Sequence, residues 1–184
     1  MRRFFSLLIF MSCALAACNG STPQELSEKE QQLLGTWESI EPIVVYTDSD
    51  VTVTLSYSAF TYKADRTSSG VMELETMAPG LDAGPVRMRS TDTYIWSISG
   101  QKLNETTTSS SVEALNYKEL MADSVAEIEQ DAVNDPESVS EIKLLSDTQL
   151  ILYEPLDDIT IKLKKTAAPA NPQNLPSSDG DDSP

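Results

Sequence analysis

The chain contains no histidine. That removes the side chain that titrates nearest neutral pH, and with it Ser-His-Asp and Cys-His catalysis and histidine-ligated zinc. Cysteine is almost absent: among 184 residues only Cys13 and Cys18 carry a thiol. Both stand close to the N-terminus, so the rest of the chain can build no disulfide, no thiolate nucleophile and no cysteine metal cluster. Basic residues are scarce, 13 Lys plus Arg against 29 Asp plus Glu, for a formal charge of −16. Nucleic-acid and anionic-membrane surfaces need clustered Lys and Arg, so no nucleic-acid partner is expected. Long apolar runs are missing too. The stretch from Phe4 to Ala17 falls short of the roughly 20 residues that cross a bilayer. Any chemistry would rest on carboxylates, lysine or tyrosine alone, and the expectation is a protein that is not an enzyme and needs no cofactor.

What is present begins with that apolar stretch. Met1-Arg2-Arg3 precedes it, and Leu15-Ala16-Ala17-Cys18 closes it. A positive start, an apolar middle and small residues before a cleavage point make a secretory signal. The last four residues resemble the lipobox of bacterial lipoproteins. The resemblance implies removal of residues 1–17, acylation of Cys18, and a membrane anchor held by several acyl chains at roughly 0.8 kcal/mol per buried methylene. In that family aspartate after the cysteine retains the protein in the inner membrane. Asn19 stands here instead, which implies a lipid-anchored envelope protein on the periplasmic face of the outer membrane. Loss of 17 residues leaves 167, and without Arg2 and Arg3 the formal charge becomes −18, from 11 basic and 29 acidic residues. That length suits one domain with a core of its own.

Composition divides the remainder. Residues 18–32 are polar and read as a tether, with a short helix expected around Glu25 to Leu34. Residues 167–184 are rich in Pro, Asn, Ser and Asp and read as a disordered acidic tail. Between them, alternation dominates. Val51, Val53, Leu55 and Tyr57 alternate with polar residues, and the phase then slips at Ala59 before Phe60 and Tyr62, which predicts a strand with a bulge. Ala64 to Gly70 reads as a turn. Alternating segments follow at Met72–Thr76, Val86–Arg89 and Tyr94–Ile98. Gly100-Gln101 is a hairpin turn into Leu103–Thr108, and later segments lie at Val139–Leu144, Leu150–Tyr153 and Ile159–Leu163. The period changes once: Tyr117, Met121, Val125, Ile128 and Ala132 form an apolar stripe of one amphipathic helix over 115–133, with Asn116 and Glu119 placed as cap and capping-box partner. About eight or nine strands with one inserted helix predict a mainly β, up-and-down antiparallel β-barrel, an arrangement whose closure removes exposed edges.

Leu33-Leu34-Gly35-Thr36-Trp37, Phe60-x-Tyr62 with Asp65-Arg66-Thr67, and Leu145-Ser146-Asp147-Thr148-Gln149-Leu150 resemble the opening, the aromatic strand and turn, and the C-terminal hairpin of lipocalin-like (calycin-type) domains. The resemblance covers 33–166. It departs from the family in lacking disulfides and in placing its helix between middle strands. It implies a barrel whose interior holds a small apolar or amphipathic molecule, with Trp37 as a structural residue packed across one end. Tyr57, Phe60, Tyr62, Tyr94 and Trp96 are the candidate ligand lining, since pockets are mostly apolar. The same aromatics equally suit a filled core. The alternative is therefore an interaction or envelope-structural module with a filled barrel and no ligand, whose protein partner the sequence does not name.

Three further features carry less. Glu119, Asp123 and Glu127 recur every four residues on the helix face away from the stripe, and read as a solvated acidic face rather than a cation site. Ser99-Gly100-Gln101-Lys102 matches the Ser-x-x-Lys of penicillin-recognising enzymes, but it straddles a turn and lacks its partner motifs. Asp179-Gly180-Asp181-Asp182 lacks the spacing and distal glutamate of an EF-hand, so no metal is expected.

Overall fold

The computed structural model describes residues 25–48, 50–80, 84–134 and 136–166. Cys18, the segment 1–17 and the tail 167–184 lie outside the described residues. Among the described residues nine strands and two helices follow in the order α1 (Glu28–Leu33), β1 (Gly35–Ser39), β2 (Ile43–Asp48), β3 (Val51–Tyr62), β4 (Thr67–Met77), β5 (Val86–Ser99), β6 (Lys102–Ala114), α2 (Lys118–Asn134), β7 (Glu137–Leu145), β8 (Gln149–Glu154) and β9 (Ile159–Thr166). The sheet runs β1-β9-β8-β7-β6-β5-β4-β3-β2, and β1 pairs with β3 as well. That second pairing closes eight antiparallel strands into a barrel and leaves β2 outside the ring. β1 and β2 lie along the same edge of β3, with Gly35–Glu38 opposite Tyr62–Ala59 and Ile43–Asp48 opposite Leu55–Val51. Pro42 stands in the gap between them; a residue with no N–H cannot continue a ladder.

β5 gives the barrel a direction. Its last residues reach the end where α1 sits. There Leu33, Trp37, Tyr62, Trp96, Leu103, Ile142, Leu150, Leu152 and Leu163 pack into one buried cluster. Both indoles are satisfied: Trp37 Nε1 donates to the Leu33 carbonyl at 2.7 Å and Trp96 Nε1 to the Thr67 carbonyl at 3.1 Å. Tyr62 meets Trp96 edge-on at 89° with centroids 5.8 Å apart, an arrangement that suits the ring quadrupoles. A capping box starts α1, with Ser27 N–H donating to Glu30 Oε2 at 2.8 Å and Glu30 N–H to Ser27 Oγ at 3.3 Å. Arg66 then grips Glu30 at 2.9 Å, so α1 is docked rather than trailing.

At the other end, where β5 begins, Val86, Met88 and Val112 form a smaller cluster under Tyr117, Met121 and Val125. β7 pairs only with Lys102–Thr106 of β6. α2 lies beside the half of β6 that β7 leaves uncovered, and Glu129 Oε1 accepts from Val112 N–H there at 2.7 Å. The apolar stripe faces the barrel as its spacing requires. The expected cap does not form: Asn116 instead ties the start of β5, accepting from Arg87 N–H at 2.8 Å and donating to the Pro85 carbonyl at 2.9 Å. The expected turn from Ala64 to Gly70 is also shorter than read. It closes with Lys63 N–H on the Thr67 carbonyl at 3.0 Å, and Arg66 takes a φ of 64°. Ser68, Ser69 and Gly70 belong to β4. Gly70 is glycine because a Cβ there would stand 2.9 Å from the Phe60 ring and 3.3 Å from Tyr94.

Candidate functional site

Alternation along each strand sends every second side chain into the barrel, and between the two apolar ends the inward positions of β5 and β6 are mostly polar. β5 contributes Ser90, Asp92 and Tyr94; β6 contributes Glu105, Thr107 and Ser110. The register between β5 and β6 shifts at Thr93/Tyr94, leaving Thr108 as the extra residue of a bulge, so that Thr107 and Ser110 both reach the interior. β8 adds Glu154. These groups line one side of a cavity of about 450 Å³ whose other walls are apolar: Leu55 and Phe60 from β3, Met72 and Leu74 from β4, Ile159 and Ile161 from β9, Val45 from β2, and Ile128 and Ala132 from α2. Asp157 stands at its rim.

The floor is acidic. Asp92 is 3% exposed and Glu105 9%. Ser90 Oγ donates to Asp92, Ser140 Oγ to Glu154, and Ser68 Oγ reaches Glu105 Oε1 at 3.5 Å. Burial pushes the Glu105 carboxyl up to about 7; the neighbouring Tyr62 and Ser68 hydroxyls pull it down, and the Glu154 charge adds to the rise. Burial, reinforced by Asp92 and Glu105, holds the Tyr94 phenol well above its usual range. The Tyr62 phenol is raised in the same way, by burial and then by Glu105. Among the described residues no Lys or Arg lines the cavity. The cations of the central strands are used outside, where Arg89 holds Glu73 at 2.7 Å and Glu113 at 3.2 Å, and Arg87 lies 3.6 Å from Glu75.

Of the aromatics singled out by the sequence, Phe60 and Tyr94 line the cavity. Tyr62 and Trp96 are inward but belong to the packed cluster beneath it, as does Trp37. Tyr57 points the other way. The register between β3 and β4 shifts between Leu55 and Tyr57, so Tyr57 lies opposite Glu73, on the outer face, while Leu55 lies opposite Leu74. Its phenol is raised by partial burial and then by Glu38 and Glu73. The phase slip is therefore present but comes at Ser56, before Tyr57 rather than after it. Glu119, Asp123 and Glu127 are exposed on α2.

Sequence reasoning missed Asp92, Glu105 and Glu154. The signal was there for the first two. Val86, Met88, Ser90, Asp92, Tyr94 and Trp96 keep one phase, as do Leu103 and Glu105, so each carboxylate occupies an inward position between apolar or aromatic neighbours.

No family model matches the chain, and no curated protein matches it. Among solved structures, the crystal structure of an uncharacterized protein from Bacteroides eggerthii DSM 20697 is similar over 72% of this chain and 98% of that one, at 10% identity and a TM-score of 0.39.

Proposed function

We propose that this chain is a lipid-anchored envelope lipoprotein, on the periplasmic face of the outer membrane, whose lipocalin-like barrel binds a small amphipathic molecule. The observation that carries the binding half of this reading is the cavity. At about 450 Å³ it falls within the range of small-molecule sites, and it combines apolar walls with a few convergent polar groups. A filled barrel, the requirement of the interaction-module alternative, would leave no such space. The anchoring half rests on Leu15-Ala16-Ala17-Cys18. The faces of the barrel suit an aqueous setting. Charged pairs such as Glu73 with Arg89 lie outside and the largest apolar side chains inside, whereas a membrane barrel turns an apolar band outward.

Two experiments test the halves separately. Decyl amphiphiles with cationic, neutral and anionic heads, kept below micellar concentration, are titrated into the purified protein by calorimetry. Saturable one-to-one binding by at least one is expected. Phe60→Ala and Tyr94→Ala should weaken it more than Asp123→Ala, and Leu74→Trp or Ala132→Trp, with circular dichroism unchanged, should block it. Binding by none of the three overturns the reading. For the anchor, Cys18→Ser should release the protein from the membrane fraction; unchanged fractionation with an unmodified N-terminal peptide mass overturns it.

A further inference from the structure

We infer that the molecule held in the cavity is an organic cation, with a protonated amine at one end and an apolar body at the other. The inference rests on the cavity-binding reading above and specifies its ligand. Asp92, Glu105 and Glu154 approach the cavity floor from three strands, β5, β6 and β8. Withdrawing carboxylates from water is costly unless a cation or several donors repay it. Serine hydroxyls supply part of that repayment, and among the described residues no basic side chain lines the cavity.

A second observation concerns two buried hydroxyls. The Tyr62 hydroxyl, on a residue 2% exposed, has no hydrogen-bond partner of good geometry, and neither has the hydroxyl of Ser58, which is 0% exposed. Both residues are on the inward face of β3. Ser58 lies opposite Met72, a cavity wall residue, and the Tyr62 phenol lies next to Glu105. Buried polar atoms are nearly always paired, so the fold leaves hydrogen-bonding capacity unused beside the cavity wall at Ser58, while the Tyr62 hydroxyl is turned toward Glu105. An ammonium brings three donors and a charge of the required sign.

The geometry also separates an organic cation from a metal ion. Among the described residues no three carboxylates converge closely enough to hold a metal. An ammonium accepts partners spread across a wider floor, and its carbon body would lie against Phe60, Leu74 and Ile161. A fatty acid or other anion would bring a further carboxylate to the same acidic floor. The formal charge of −16 on the chain favours the approach of cations as well.

The test is head-group discrimination at constant tail. Decylamine, decanol and decanoate are titrated into the full chain below micellar concentration, at pH 7.5 and fixed ionic strength. Decylamine is expected to bind one-to-one and at least about tenfold more tightly than decanol, with decanoate weakest. The double variant Asp92→Asn/Glu105→Gln should bring decylamine down to the level at which that variant binds decanol. If the double variant loses its folded circular dichroism, Glu154→Gln alone is used and should reduce the preference at least about threefold. Equal binding of decylamine and decanol by the native chain overturns the cationic ligand while leaving cavity binding intact. So does a preference that survives the substitutions, because it then comes from the acidic surface. Failure of all three probes removes the cavity-binding reading and this inference with it.

Discussion

Where β5 stops, nine buried side chains, two of them tryptophans with both indole N–H groups satisfied, pack beneath a helix anchored by a capping box and a salt bridge. Where β5 starts, three buried side chains meet a longer helix that buries no residue fully and leaves Leu120 70% exposed and Val133 57% exposed. The shorter helix is the better held. Stability in this barrel is thus concentrated at one end, and the cavity lies toward the other, against a helix that contributes Ile128 and Ala132 to its wall. Segments with few buried apolar contacts open at low free energy. Under the proposed binding reading, the wall contributed by α2 is separate from the packed end that maintains the fold.

Substitutions that damage each end in turn test this contrast, and the largest effect belongs to the packed end. Trp37→Ala should destabilise the protein by about 3–5 kcal/mol, whereas Val125→Ala on α2 should cost about 1 kcal/mol or less. Chemical denaturation measures both, and comparable losses would erase the distinction between the ends. Next in size is the effect of the acidic floor on pH dependence. Glu105 carries a folded-state value of about 7, above the ordinary carboxylate range of the unfolded chain. The folded state therefore keeps a proton that the unfolded state has lost. The contribution is full at and below about pH 4.5, declines as pH rises to about 7, and is flat above, amounting to as much as ~3 kcal/mol. Glu105→Gln should remove this decline, so the stability difference between variant and native chain should shift toward the variant from pH 5 to pH 8. A pH-independent difference would show that the floor pays no such penalty. The smallest effect is at the cap. Ser27→Ala should lower global stability by about 1 kcal/mol, because α1 unfolds with the barrel; proteolytic release of α1 alone, with unchanged global stability, would show that it does not belong to the packed end.

Much of this architecture was legible in the sequence, because period-2 alternation reports directly on which face a side chain takes. The up-and-down barrel, the inserted helix with its stripe, the Gly100-Gln101 hairpin and the inward placing of Phe60 and Tyr94 all follow from spacing. The errors came where one residue carries two meanings. Ser69-Gly70 has turn composition, yet Gly70 sits in mid-strand because Phe60 and Tyr94 lie across it; only the packing of other strands makes that visible. Asn116 is a good cap by type, but β5 recruits its amide. The slip in β3 was detectable and its position was not, since Ser56 and Ala59 are both small enough to mark a bulge, and that placed Tyr57 on the wrong side of the wall. Asp92 and Glu105 were passed over because a charged residue in an alternating strand is ordinarily assigned to water.

The docking of α1 also determines how the molecule carries load. Tension on the chain ahead of Ser27 passes first into the Ser27–Glu30 cap, the Arg66 pair and the Leu33–Trp37 contact. From there it passes into β1, which is fastened along both edges, to β3 and to β9. A pull from that side thus enters at the end remote from α2 and from the cavity wall that α2 supplies.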